Sequence, residues 1–145
     1  MEIRLLSREE LNGAVEFIWE VFSKCEAVNY PEDGKRAFYN AINSAEYLDM
    51  LTAYGAYENG VLIGIIASRN EGAHVALFFV DEKHQRRGIG RKLWEHMLGE
   101  TASGVITVNS SIFAKEIYEK LGFVQKEELQ EDSGIKFIPM EYVRK

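Results

Sequence analysis

The chain is poor in cysteine and proline and holds no long apolar run. Its one cysteine, Cys25, among 145 residues excludes an internal disulfide framework. It also excludes CxxC-type zinc sites, and no metal site is expected. A reducing compartment matches such cysteine usage. The two prolines, Pro31 and Pro139, lie far apart, and no Pro-, Gly- or Ser-rich stretch links one part of the chain to another. With no repeat and no low-complexity tract, one domain over residues 1–145 is the economical reading. No apolar run approaches the ~18 residues of a membrane span, and the opening MEIRLLSREE lacks the apolar core of a secretion signal. A soluble cytoplasmic protein with no membrane partner is therefore expected. Cations are in deficit, 17 Lys and Arg against 23 Asp and Glu, for a net charge of −6. That balance argues against a general affinity for nucleic acid.

Hydrophobic residues make up 46% of the chain, enough for a sizeable core. EIRLL (2–6) reads as a strand, and Ser7 with Glu10 forms a capping-box pattern for the helix that follows. Leu11, Ala14, Val15, Ile18, Val21 and Phe22 keep a helical period and predict a helix ending near Ser23 or Lys24. KCEAVNYPEDG (24–34) reads as a loop, and a second helix is expected over roughly 32–44. Two β-rich runs, 51–58 and 61–68, flank Asn59-Gly60, a strong hairpin signal because both residues tolerate positive φ. HVALFFV (74–80) is almost wholly apolar, as a strand buried on both faces should be. A helix to about Gly99, a strand over 104–110 and a helix around 112–121 ending at Gly122 come next. FVQKEEL (123–129) and GIKFIPMEYV (134–143) read as an antiparallel pair. The order predicts an α+β fold, a mixed sheet with helices on both faces.

One segment runs against the acidic balance. From Lys83 to Lys92 stand five of the 17 cations, with no acid among them, around HQRRGIG (84–90). A dinucleotide fingerprint fails because Leu93 occupies the third glycine position, and no GxxxxGK[ST] stretch exists for a P-loop. What remains is general. Gly88 and Gly90 let amides approach a ligand closely, the following helix points free N–H groups outward, and Arg86, Arg87 and Arg91 add forked donors. Together these describe a pyrophosphate cradle. The alternative is a solvated basic turn.

Two motifs in order resemble the GNAT acetyltransferase superfamily. Gln85-Arg86-Arg87-Gly88-Ile89-Gly90, after the strand Ala76–Val80, is similar to the family's [Q/R]-x-x-G-x-[G/A] acetyl-CoA motif. Val108-Asn109-Ser110-Ser111, then Ala114 and Ile117-Tyr118-Glu119-Lys120-Leu121-Gly122-Phe123, matches the second element. The likeness is specific over about residues 47–145 and weaker before.

The resemblance implies a GNAT fold: an α/β/α sandwich on a mostly antiparallel sheet whose central parallel strands, HVALFFV and GVITVNS, splay apart. Acetyl-CoA would enter the splay. The backbone of Phe78, Phe79 and Val80 would pair with its pantetheine, and amides from Arg86 to Arg91, Ile89 included, would bind the pyrophosphate. An amide near Phe79 or Val80 would polarise the thioester carbonyl. Tyr118 matches the usual general acid. It is expected on the line next to a core stripe of Phe113, Ile117 and Leu121, with small Ala114 leaving room for the cofactor. Asn109 matches a position that holds pantetheine or a water, and Ser110 and Ser111 read as a helix cap. The base is not specified. Glu26 and Asp33, with Tyr30, lie in the loop that borders the acceptor site in this family. His74 reads as structural or exposed, His84 as lying beside the phosphates, and Cys25 as a packing residue.

The implied activity is acetyl transfer from acetyl-CoA to a primary amine, either a small molecule or a peptide or protein amine, by a monomer or homodimer. A non-catalytic acyl-CoA-binding module on the same fold is the alternative. The acidic loops 24–34 and 130–134 mildly favour a cationic acceptor.

Overall fold

A computed structural model describes residues 1–132 and 134–144. The chain runs β1 (Glu2–Leu5), α1 (Arg8–Cys25), α2 (Glu32–Ile42), α3 (Ala45–Asp49), β2 (Thr52–Glu58), β3 (Val61–Arg69), β4 (His74–Val80), α4 (Ile89–Glu100), β5 (Val105–Ser110), α5 (Lys115–Leu121), β6 (Val124–Gln125), β7 (Gln130–Asp132) and β8 (Ile135–Val143). Among the described residues the sheet has eight strands in the order β1-β2-β3-β4-β5-β8-β6, with β7 paired to β8. Every pairing is antiparallel except β4 with β5, which is parallel. Helices cover both faces, so the fold is the expected α+β sandwich.

Local chemistry sets the boundaries. The Ser7 hydroxyl accepts from the Glu10 amide at 3.1 Å and the Glu10 carboxylate accepts from the Ser7 amide at 2.9 Å, closing the capping box of α1. Asn59 and Gly60 take φ of 53° and 78°, the hairpin turn their sequence demands. Gly122, with φ 108°, ends α5, and the Phe123 amide reaches the Tyr118 carbonyl at 3.0 Å. This turn folds Phe123 back onto the Tyr118 ring, with centroids 5.3 Å apart.

Four expectations change. The helix α1 runs on to Cys25, and the 24–34 loop contains a one-turn 3-10 helix, Ala27–Asn29. Helix α3 lies where no element was expected; Ser44 caps it through the Tyr47 amide at 3.2 Å. The strand expected over 123–129 shrinks to β6, and a separate short strand, β7, follows it; the two pair with different parts of β8. The fourth concerns α5 and bears on the site.

Two cores share the sheet. On one face Leu93, Trp94 and Met97 of α4 pack with Ile66, Ile106, Val108, Tyr118 and Phe123. On the other, Leu11, Ala14 and Ile18 of α1 pack with Ile42, Leu48, Ile65 and Leu77. Burying side chains of this size stabilises by about 1.5–3 kcal/mol each. Strand β4 serves both cores: Phe78 and Val80 face one, Leu77 and Phe79 the other.

Candidate active site

Strand β4 pairs with β3 along its whole length, to Val80 opposite Gly64. With β5 it pairs only at its start, His74 with Thr107 and Val75 with Val108. The His74 imidazole meets the Thr107 hydroxyl at 2.8 Å there; burial and the nearby Arg69 push its pKa down to about 4, so it serves this contact as a neutral ring. From Ala76 onward β4 and β5 diverge, leaving one edge of β4 unpaired among the described residues. Of the two readings the sequence left for His74, structural or exposed, this contact makes it structural.

A cavity of about 590 Å³ opens beside that edge, within the range of small-molecule sites. Phe78, Phe79 and Val80 line one side, Phe113, Ala114, Ile117 and Tyr118 the other, and Gln85, Arg86, Gly88 to Arg91 and Lys120 one end. The loop at that end is built on backbone geometry. Arg86 and Gly88 both take left-handed φ, 67° and 80°. Gly88 is the N-cap of α4 and supplies no side-chain cap; the first helical bond runs from the Lys92 amide to the Gly88 carbonyl at 3.1 Å. The amides of Ile89, Gly90 and Arg91 therefore precede the helical ladder, where an anion is favoured. Gln85 anchors the loop: its amide nitrogen donates to the Val80 carbonyl at 3.0 Å and to the Cys25 sulfur at 3.7 Å.

These residues fit CoA. An ideal Cβ on Gly90 would lie 3.5 Å from the Phe78 ring, an ordinary contact, and would take up space on the cavity wall between α4 and β4. Arg91 and Lys120 bring cations to the same end, and the Arg91 guanidinium donates to the Lys120 carbonyl at 2.9 Å. Arg87, expected among the cofactor residues, turns away to Glu58 at 3.0 Å and does not line the cavity. His84 lines it, held by Asp81 at 2.7 Å.

The phase of α5 differs from expectation. Phe113 and Ile117 are 55% and 56% exposed and Tyr118 only 7%, so the supposed core stripe faces the cavity and Tyr118 is the buried member. The helix has barely two turns, and its inner position goes to the one ring that reaches Phe78, Phe123 and the core together. Burial, reinforced by the charge of Glu26, raises the Tyr118 pKa well above the ordinary phenol range.

Glu26 caps the end of α1 and lines the same cavity. Burial raises its carboxyl pKa, and a hydrogen bond from the Ser111 hydroxyl at 2.9 Å opposes that rise. Ser111 also accepts from the Ala114 amide at 3.1 Å, so it does brace the start of α5, though Ala114 is the N-cap; Ser110 donates to the Ser111 carbonyl instead. Tyr30 packs edge-on to Phe22, and burial, then Glu26, pushes its hydroxyl up to about 12. It lines a second cavity of about 360 Å³ with Asn29, Pro31, Glu131, Gly134 and Lys136. Phe113 walls both cavities. Asp33 is exposed in the first turn of α2 and Asn109 is exposed on β5; neither lines either cavity. Cys25 lines the first, with burial raising its thiol pKa. Sequence reasoning took Phe113 and Ile117 for core and Ser111 for a cap. The available signal was an apolar face too wide for so short a helix to bury. Among the described residues no cluster suits a metal ion, and no helix is long and apolar enough to cross a membrane.

Comparison with known proteins agrees with this geometry. Similar folds include a GCN5-related N-acetyltransferase from Rhodopseudomonas palustris (TM-score 0.80, 19% identity, 98% of this chain and 94% of that one). They include the PaiA N-acetyltransferase of Thermoplasma acidophilum in complex with coenzyme A (0.67, 20%, 99% of each chain). Tetrahymena GCN5 is also similar (0.69, 18%, 99% and 96%). No curated protein sequence matches the chain significantly. The family model for the acetyltransferase (GNAT) domain matches residues 26–144, from the carboxylate that closes α1 to the end of the described chain, and the chain belongs to the GNAT acetyltransferase family.

Proposed function

We propose that the chain transfers the acetyl group of acetyl-CoA to a primary amine by direct attack of the neutral amine on the thioester. The observation that carries this reading is one cavity that joins the free edge of β4, the uncapped start of α4 and the Tyr118 ring. Acetyl-CoA supplies an activated acyl group and a thiolate leaving group. The amides from Gly88 to Arg91, with Arg86 and Arg91, hold the pyrophosphate, and the backbone of Phe78 to Val80 receives the pantetheine as an added strand. An amide near Phe79 or Val80 stabilises the carbonyl oxygen as charge develops on it. Tyr118, kept protonated by burial and by Glu26, presents its hydroxyl to the departing sulfur. Glu26, made more basic by burial, takes a proton from the incoming ammonium, whose pKa is near the ~10.4 of an alkylamine.

The second cavity receives the body of the acceptor. Both acidic loops reach it, but only Glu131 among their carboxylates lines it, with Lys136 alongside. A small amine, or an amine side chain reaching in, suits this space. The test is release of CoA thiol from acetyl-CoA across a panel of small amines and peptides. The wild-type chain is expected to release thiol only when an amine is present. Tyr118→Phe should lower kcat on the order of 10²-fold while leaving KM for acetyl-CoA nearly unchanged. No amine-dependent release by the wild type would leave a CoA-binding module without catalysis.

A further inference from the structure

We propose that Ser111 is a positioning residue that holds Glu26 as a carboxylate aimed into the cavity. The inference rests on the reading of Glu26 as the base. Its basis is the direction of two hydrogen bonds. The Ala114 amide donates to the Ser111 oxygen at 3.1 Å, and an amide is a donor only. That leaves the single Ser111 proton free for Glu26 Oε1, 2.9 Å away. The hydroxyl thus presents a hydrogen to Glu26, and an acceptor of such a bond is favoured in its charged form. Eighty-five positions separate the two residues, and the bond ties the end of α1 to the start of α5. Catalytic acid and base, Tyr118 and Glu26, are thereby held by the same short segment.

The surroundings of Glu26 act the other way. Burial penalises its charge, and Cys25, Tyr30 and Tyr118 all feel that charge. His84 and the cations Arg86, Arg91 and Lys120 also line the cavity, with His84 engaged by Asp81 and Arg91 by the Lys120 carbonyl. The direct hydrogen bond to the carboxylate comes from Ser111, at 2.9 Å. Removing its hydroxyl should raise the carboxyl pKa and move the acid limb of kcat/KM to higher pH. The Ala114 amide keeps a second acceptor, the Ser111 carbonyl at 3.2 Å, so Ser111→Ala leaves the turn into α5 bonded.

The experiment is the pH profile of kcat/KM for wild type, Ser111→Ala, Ser111→Thr and Glu26→Gln, using an amine found active in the panel. The expected result is loss of the acid limb in Glu26→Gln, an upward shift of that limb in Ser111→Ala, and its return toward the wild-type position in Ser111→Thr, which restores a hydroxyl. A limb that vanishes in Glu26→Gln but stays in place in Ser111→Ala overturns the role of Ser111 and spares the base. A limb unchanged in Glu26→Gln overturns the base itself, and with it the proposal. Thermal unfolding of Ser111→Ala at the assay pH gives a separate readout: a lower midpoint with an unmoved limb means the residue only braces the fold.

Discussion

Arg87 lies in the middle of the basic run, yet its guanidinium reaches Glu58 while the neighbouring Arg86 and Gly88 line the cavity. An exposed pair of this kind contributes about 0–1 kcal/mol, so Arg87→Ala should change the CoA dissociation constant by less than about fivefold. Gly88 is different in kind. With φ 80° it sits where a β-branched side chain is strained by about 1–3 kcal/mol, and its amide opens the α4 N-terminus. Gly88→Val should weaken CoA binding on the order of tenfold or more, measured by titration calorimetry. A larger loss in Arg87→Ala would mean that the segment supplies charge rather than backbone approach. Gly90 separates protein strain from ligand approach, because an added Cβ would make only ordinary contact with Phe78 at 3.5 Å.

Between elements, a close backbone approach joins the first turn of α2 to the turn before β8, beside the proposed acceptor cavity. A Cβ on Gly34 would fall 2.8 Å from the Gly134 carbonyl oxygen, and Gly134 itself takes φ 81°. Backbone faces backbone, so nothing flexible can yield. Gly34→Ala should cost about 1–3 kcal/mol of stability in chemical denaturation and raise KM for the amine more than KM for acetyl-CoA. Equal effects on both KM values would place the acceptor elsewhere. How much of this was readable from the sequence follows the range of each interaction. Asn59-Gly60, the Ser7–Glu10 box and the turn at Gly122 are local, and each formed as its residues require. The glycine loop after β4 was readable for the same reason. Helix α3 was not, since its five residues carry too little periodicity. The phase of α5 was misread because the face of a short helix is chosen by what covers it, here a core that takes Tyr118 and a cavity that takes Phe113 and Ile117. The Ser111–Glu26 bond and the Gly34–Gly134 contact join distant positions, and no local pattern announces them.

For the whole molecule, the governing feature is a sheet that is continuous except where its one parallel pair opens. Two cores hold β4 from both faces, so the strand stays in place although one of its edges is free. The chain carries a net charge of −6, yet cations gather where the cavity meets α4 and the end of α5. Such a local field would draw a polyanion to one place on an otherwise acidic surface. The most direct measurement is a calorimetric titration of the wild-type chain with CoA at two salt concentrations. Saturable binding of one CoA per chain, weaker at the higher salt, is the predicted result. No binding at millimolar CoA would contradict the placement of the cofactor in the β4–β5 splay, and with it the acetyl transfer proposed for this chain.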